Sequence, residues 1–330
     1  MAQIRVEQLC KRYAVAERQP GAWGAVKGLF HRRQRVVEAL KDVSFSLQAG
    51  ELLGFIGPNG AGKSTTVKIL SGILRPTSGL CEIDGLTPWL HRIRHVARIG
   101  VVFGQRTQLW WDLPVIESFE LLRDIYRVDE AAFRRTKAEM VERLRIERLL
   151  DTPLRQLSLG QRMRCEIAAA MLHRPSILFL DEPTIGLDAT SKLAVREVVR
   201  TLNREEGVTV ILTTHDMHDI EALAERVIVI GNGVVLRDSS FEALRAEALG
   251  ETRLVVEFAG APSAIDIPGV STRTREDGAV ELAFDARRMP AHALISRIAA
   301  EHDVADIHVE EPQIEAVIAR FYALHGAAEG

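Results

Sequence analysis

The chain has few cysteines and no large excess of positive or negative side chains. Only three of its 330 residues are cysteines, Cys10, Cys81 and Cys165, and no two of them form a C-x-x-C pair. This pattern excludes a disulfide framework and a zinc finger and favours a reducing compartment. The 42 Lys and Arg nearly balance the 45 Asp and Glu, for a formal net charge of −3. Such a balance lacks the excess of basic residues that is typical of nucleic-acid-binding proteins, so no nucleic-acid partner is expected.

Long apolar runs are also missing from the sequence. No run approaches the ~20 residues of a membrane-spanning helix, and the first twelve residues, MAQIRVEQLCKR, lack the apolar core of a signal peptide. With 47% hydrophobic and 26% charged residues, the composition is that of an ordinary soluble protein of roughly two domains. A membrane role would therefore need a separate partner chain.

Over the first 240 residues, short apolar runs alternate with stretches of helical periodicity. This alternation predicts a largely parallel sheet with right-handed crossovers. The predicted strands lie at residues 4–9, 43–47, 52–56, 99–103, 177–180 and 208–213, and the predicted helices at 64–74, 161–173, 191–205 and 217–225. A hairpin is expected at 227–236, with its turn at Gly231-Asn232-Gly233.

Two segments interrupt this alternation. Residues 14–36 are irregular and rich in basic side chains, which fits either a solvated loop or a loop that faces a partner or an anionic lipid surface. Residues 107–160 form a mainly helical insert, in which Phe133, Met140, Val141 and Leu144 share one face.

The character of the sequence changes after about residue 249. Strand-like runs at 254–258, 280–284 and 307–309 are mixed with helical patterns near 291–301 and 313–323. This mixture predicts a small α+β domain at 250–330, which follows a larger domain at 1–245.

A glycine-rich loop follows the strand at 52–56 and opens a helix. Its sequence, GPNGAGKST, fits G-x-x-x-x-G-K-[ST] and comprises Gly57, Pro58, Asn59, Gly60, Ala61, Gly62, Lys63, Ser64 and Thr65. Inward-facing backbone N–H groups and the positive end of the helix dipole suit the phosphates of a nucleotide. Lys63 would reach the β- and γ-phosphates and Ser64 would offer its hydroxyl to Mg²⁺.

A second motif, SILFLDEPT at residues 176–184, pairs with this loop. Four apolar residues form a buried strand that delivers Asp181 and Glu182 at its carboxyl end, where open α/β sheets bind ligands. Asp181 is placed to hold Mg²⁺, and Glu182 can align and polarise an attacking water.

With these motifs in this order, the chain resembles the ATP-binding cassette (ABC) ATPases over about residues 1–240. LSLGQ at 157–161 resembles the family's signature sequence, and GLD at 186–188 its loop that crosses to a second protomer. The resemblance implies an α/β fold with a P-loop NTPase (RecA-like) core, antiparallel β and helical subdomains, and here the small α+β C-terminal domain. It implies ATP as substrate and Mg²⁺ as cofactor.

Three further residues match the family one by one. Gln105 matches the glutamine that touches Mg²⁺ and the transport partner, His215 the switch histidine at the γ-phosphate, and Tyr13 the aromatic that stacks on adenine. Taken singly, each has a plain alternative: a polar loop residue, a helix cap and a surface tyrosine at a strand end.

The resemblance also implies a dimer, of two identical or two different cassettes, that buries ATP between one phosphate loop and the other signature. Ser158 and Gly160 would then contact the γ-phosphate in trans, and the helix that begins near Gln161 would add its dipole. Gln161 and, in the crossing loop, Asp188 are also expected at the nucleotide. Leu159 departs from the family, which usually has glycine there, so either a looser signature contact or a slightly rotated loop is expected.

The partner prediction rests on residues 105–118, QRTQLWWDLPVIES, and on the C-terminal sequence IHVEEPQIEAVIARFY. Trp110 and Trp111 either anchor an interface or pack under the helical insert. The C-terminal sequence is similar to the appendage of drug- and antibiotic-resistance exporter ATPases, where it would regulate or stabilise the dimer. The resemblance implies an exporter subunit, peripheral on the cytoplasmic face of the inner membrane, that drives a separately encoded integral membrane permease. The alternative is a non-transport ABC ATPase acting on a soluble macromolecular partner.

Overall fold

The computed structural model describes residues 3–16, 34–104, 106–249, 252–260, 265–275, 277–286, 288–310 and 314–324. Contacts between residues divide the chain into two compact units, Met1–Asp238 and Ser239–Gly330. The sequence pattern changes slightly later, at 245–250. The difference arises because the helix Phe241–Leu249 packs against the helix Ile314–Leu324 and so groups with the second unit.

The first unit is built on a six-stranded sheet in the order β5-β6-β7-β3-β8-β9. Its strands are β3 (Leu52–Ile56), β5 (Ile99–Phe103), β6 (Ile177–Asp181), β7 (Thr209–Thr214), β8 (Arg226–Gly231) and β9 (Val234–Ser240). The first five pair in parallel, which confirms the predicted α/β sheet. Positive φ at Asn232 and Gly233 makes the tight turn of the predicted β8–β9 hairpin.

A second, three-stranded antiparallel sheet has the order β2-β1-β4, with β1 (Ile4–Ala16), β2 (Gln34–Leu47) and β4 (Ser78–Ile83). Both β1 and β2 run further than the alternating pattern predicts, so residues 14–16 and 34–36 are strand and not irregular loop. The strand register explains the extension, since Tyr13 pairs with Val37 and Ala16 pairs with Gln34. Each strand thus supplies backbone hydrogen-bond partners for the other beyond the segments of alternating apolar residues. The rest of the basic stretch, residues 17–33, lies outside the described residues.

Helices flank these sheets in the order α1 (Lys63–Leu70), α2 (Arg92–Val96), α3 (Val115–Tyr126), α4 (Glu130–Leu144), α5 (Leu159–Met171), α6 (Ala189–Arg204) and α7 (Met217–Leu223). The predicted helix at 64–74 ends early, because Gly72 adopts a left-handed conformation just beyond Ser71. Helices α3 and α4 lie within the predicted helical insert at 107–160, whereas α5 begins at its end and corresponds to the helix predicted at 161–173. The apolar face predicted on α4 is buried at all four positions.

The second unit is a four-stranded antiparallel sheet in the order β11-β12-β10-β13, with helices. Its elements are α8 (Phe241–Leu249), β10 (Thr252–Phe258), β11 (Val270–Thr274), β12 (Val280–Phe284), α9 (Ala291–Glu301), β13 (Val304–Glu310) and α10 (Ile314–Leu324). The unit has its own core, in which Leu254, Val256 and Leu282 of the sheet join Leu294 and Ile298 of α9. Strand β11 is absent from the sequence prediction because VSTRT is mostly exposed and lacks apolar alternation.

Candidate nucleotide-binding site

The phosphate-binding loop leads from the fully buried strand β3 into helix α1. Gly62 occupies the N-cap of α1 with φ 111°, and no described side chain caps the helix. A Cβ on Gly62 would lie 2.8 Å from the Ala39 carbonyl oxygen, so only glycine lets the loop pass this close to β2. The uncapped N–H groups at the start of α1 are free to meet phosphate oxygens.

Lys63 lies folded back over this loop. Its side chain is only 5% exposed, and its Nζ donates to the carbonyl oxygens of Gly57 at 2.5 Å and of Pro58 at 3.2 Å. Burial lowers the pKa of Lys63, while the carboxylates of Glu182 and Asp181 act in the opposite direction. Nζ also lies 3.7 Å from Glu182 Oε1, so a buried cation already faces the predicted catalytic carboxylate.

Asp181 ends strand β6 and gathers two hydroxyl groups. Its Oδ1 accepts from Ser64 Oγ at 3.1 Å and from Thr213 Oγ1, at the end of β7, at 2.6 Å. Among the described residues, no group of three or more His, Cys, Asp or Glu side chains could hold a metal ion alone. Mg²⁺ usually takes one or two protein oxygens and completes its shell with water and substrate phosphates. Ser64 and Asp181 therefore fit Mg²⁺ and would hold it, supplying charge neutralisation at the phosphates.

Glu182 adopts a left-handed backbone conformation, with φ 54°, that non-glycine residues rarely occupy. Its N–H donates to the Thr213 carbonyl at 2.9 Å, and the Gly104 N–H donates to the Asp181 carbonyl at 2.8 Å. A Cβ on Gly104 would collide with the Glu182 carbonyl oxygen, so glycine is needed at the end of β5. These bonds aim Glu182 so that Oε1 lies 3.5 Å from His215 Nδ1 as well as beside Lys63.

A buried polar cluster lies behind His215 and was not found by sequence reasoning. Asp219, on α7, is fully buried and accepts from Arg196 of α6 at 2.6 to 2.7 Å and from the Thr184 hydroxyl. Lys192, one turn before Arg196, pairs with Asp216 at 2.5 Å. The two ion pairs tie α6 to the start of α7, next to His215. The sequence does not predict these ion pairs, because single charged residues on a helix are common and nothing in the pattern shows which of them meet.

The signature residues lie at the N-terminus of α5. Ser158 is the N-cap, and its side chain and that of Gln161 form a reciprocal capping box. Gly160 is buried where a Cβ would press on Ser191, and a Cβ on Gly186 would lie 3.0 Å from Leu159 Cδ2. The extra side chain of Leu159 is thus directed at the loop that precedes α6.

Asp188 caps the neighbouring helix α6 by accepting from Ser191 N at 2.9 Å and Ser191 Oγ at 2.8 Å, and these bonds lower the pKa of Asp188. The predicted site residues therefore fall into two groups, one around Lys63 and Glu182 and one around the N-termini of α5 and α6. Within the described parts of the chain, no hydrogen bond or ion pair joins the second group directly to the first.

Two predicted site residues are not assigned to either group, Tyr13 and Gln105. Tyr13 lies on β1 with its ring 5.1 Å from Lys11 Nζ, and Lys11 also donates to the Arg75 carbonyl at 2.8 Å. Gln105 lies outside the described residues. Their roles at adenine and at Mg²⁺ stay predictions.

Comparison with known proteins agrees with this geometry. Residues 40–185 match the family model for ABC transporters. The chain is 32% identical over 215 residues to the ABC transporter ATP-binding protein NatA of Bacillus subtilis (strain 168), covering 65% of this chain and 87% of NatA. It is 30% identical over 284 residues to the linearmycin resistance ATP-binding protein LnrL of the same organism, covering 84% of this chain and 91% of LnrL. The chain belongs to the ABC transporter ATP-binding family.

A solved member of the ABC family gives the structural counterpart. The dimeric cassette MJ0796, in a post-hydrolysis state bound to ADP and Pi, matches with a TM-score of 0.60 and 29% identity, covering 72% of this chain and 98% of that one. This ABC ATPase therefore hydrolyses ATP with Mg²⁺ as the ATP-binding subunit of a transporter. Relatives of similar identity carry either export or import in their names. No helix in the described part of the chain is long and apolar enough to cross a membrane.

Proposed function

We propose that this chain powers an exporter, by driving a separately encoded integral membrane permease through ATP-dependent closure of a homodimer or heterodimer of cassettes. The ATP-hydrolysis part of the proposal is carried by the convergence on Glu182 Oε1, which lies 3.7 Å from Lys63 Nζ and 3.5 Å from His215 Nδ1. Phosphoryl transfer needs positioning and charge neutralisation more than covalent chemistry, and this convergence supplies both.

Each group has a distinct task in this proposal. Lys63 leaves the carbonyls of Gly57 and Pro58 for the β- and γ-phosphates, because a phosphate is a stronger partner for an ammonium group than a neutral carbonyl. Glu182 then aligns the attacking water, and His215 holds the γ-phosphate. The partner's copy of the signature completes the site, so hydrolysis requires the dimer.

The exporter assignment is supported by the extent of one match. The likeness to LnrL, which its name describes as a resistance protein, covers 84% of this chain and therefore reaches beyond the cassette into the second unit. We propose that this unit regulates or stabilises the dimer. Because other relatives are named as ABC transporter, export or import ATP-binding proteins, the comparison favours transport over the alternative of a soluble macromolecular partner.

A permease-docking role is supported by an aromatic surface near the helical insert. Trp110 and Trp111 are 39% and 50% exposed, and Leu121 and Ile125 on α3 are exposed as well. Neither tryptophan is fully buried, which favours the interface anchor over packing under the helical insert. Exposed paired tryptophans suit an interface anchor. This surface would place the chain peripherally at the cytoplasmic face of the inner membrane.

The test is a pull-down from detergent-solubilised native membranes with tagged Glu182→Gln protein and ATP. We expect co-purification of one or two multi-spanning membrane proteins, and much less with ADP or with Lys63→Ala, a control variant in which weaker ATP binding is expected. In purified protein, Glu182→Gln should still bind ATP but hydrolyse it at least ~10²-fold more slowly, the usual size of general-base assistance. A soluble chain without membrane partners would overturn the transport proposal, and near-normal turnover would overturn the role of Glu182.

A further inference from the structure

A buried carboxylate holds the tryptophan-bearing loop, residues 107–112, to helix α5. The Thr107 hydroxyl donates to Glu166 Oε1, and the Gln108 backbone N–H donates to Glu166 Oε2 at 3.2 Å. The Gln108 side chain adds a third bond, from Nε2 to the Glu166 carbonyl oxygen at 3.1 Å. Glu166 lies within α5, the helix that begins directly after the signature cap Ser158.

A second contact joins the same loop to the same helix face. The guanidinium carbon of Arg162 lies 5.7 Å from the centre of the Trp111 ring. Residues 162 and 166 are four apart and therefore neighbours on one face of α5. The loop thus lies along the first two turns of α5, within one turn of the signature residues Ser158 and Gly160.

The loop and Glu166 depend on each other. Glu166 is only 3% exposed, and burial raises its pKa while the bonds from Thr107, Gln108 and Leu109 act to lower it. A buried carboxylate without donors is strongly unfavourable, and its side-chain donors here come from the loop. If the loop moved away from α5, the Glu166 carboxylate would lose these donors while still buried. The loop and α5 are therefore expected to move together.

We infer that Glu166 is a positioning residue that couples the signature helix to the tryptophan loop, so that engagement of the signature by nucleotide is transmitted to Trp110 and Trp111. The use of this loop as a docking surface rests on the proposed function. The coupling itself is a property of the cassettes alone and is tested without a permease.

The experiment is hydrogen–deuterium exchange of the full chain in the Glu182→Gln background, with and without ATP. Exchange is followed in two segments, residues 106–113 and residues 157–162. Thr107→Val removes the hydroxyl donor without touching α5, and Thr107→Ser restores it. Glu166→Ala removes the carboxylate, and Glu120→Ala, at an exposed position of α3, makes the same chemical change away from the contact.

We expect ATP to slow exchange in both segments of Glu182→Gln, on the order of tenfold or more. With Thr107→Val or Glu166→Ala, ATP should still protect 157–162 but no longer 106–113, whereas Thr107→Ser and Glu120→Ala should behave like the parent. If Glu166→Ala fails to fold, the ATP-dependent protection of residues 106–113 in Thr107→Val alone tests the coupling.

A purely structural role would give a different result. Exchange in 106–113 would then rise equally with and without ATP, and its ATP-dependent protection would persist in Thr107→Val, which would overturn the inference. Absence of ATP protection at both segments of Glu182→Gln would overturn nucleotide engagement of the signature and the coupling with it. Neither result depends on recovery of a permease, which tests the transport proposal separately.

Discussion

Removal of the Asp219 carboxylate tests the buried cluster behind the switch histidine. Asp219 is fully buried and its partner Arg196 is 15% exposed, with 2.6 Å between Arg196 Nη2 and Asp219 Oδ1. Asp219→Ala leaves this guanidinium without its ion pair and also removes the acceptor of the Thr184 hydroxyl. Loss of one partner of a buried pair costs about 3–5 kcal/mol because the remaining charge stays desolvated.

Urea unfolding followed by tryptophan fluorescence measures this cost in the first unit. All four tryptophans lie before residue 239, so the signal reports Met1–Asp238 and not the second unit. With a urea m-value of about 3 kcal/mol per M, the midpoint should fall by roughly 1 M or more. The slope m should stay unchanged, because the surface exposed on unfolding is nearly the same.

Glu197 provides the matched control on the same helix α6. Its pair with Arg200 is largely exposed, with side chains 68% and 39% accessible, and exposed pairs contribute about 0–1 kcal/mol. Glu197→Ala should therefore leave the midpoint within about 0.3 M of wild type. A comparably small shift for Asp219→Ala would refute the argument that the buried pair stabilises the fold.

Three further predictions concern the site and its surroundings. Lys63→Ala should weaken ATP binding itself, because it removes a buried cation from the phosphate loop; unchanged affinity in a fluorescent-nucleotide titration would contradict this role. Leu159→Gly should change steady-state ATPase turnover only modestly, because the leucine is directed at Gly186; complete loss of activity would reveal a specific role for the leucine. Burial lowers the pKa of His95 from its ordinary 6.5, so the unfolded chain binds more protons below that pH and the folded state loses stability as pH falls. His95→Gln should reduce the loss of unfolding free energy between about pH 6.5 and 5, measured by urea unfolding, and an unchanged pH slope would count against the argument.

Features that depend on neighbouring residues could be predicted from the sequence. The phosphate-binding loop needs glycines, a lysine and a hydroxyl at set spacing, and these form one contiguous segment from Gly57 to Thr65. The start of α5 is equally local, because Ser158 and Gln161 cap the helix across three residues. The amphipathic face of α4 follows from helical periodicity alone.

Contacts between side chains far apart in the sequence could not be predicted, because they depend on how the chain folds. Thr213 reaches Asp181 from a neighbouring strand, Asp219 meets Arg196 across two helices, and Glu166 meets a loop almost sixty residues earlier. No periodicity marks such pairs, since each member alone is an ordinary polar residue. Strand β11 is similar: its polar residues form a strand because β12 offers backbone partners. Local conformation follows from adjacent residues. Contacts between distant side chains depend instead on how strands and helices pack, and these come together only in the folded chain.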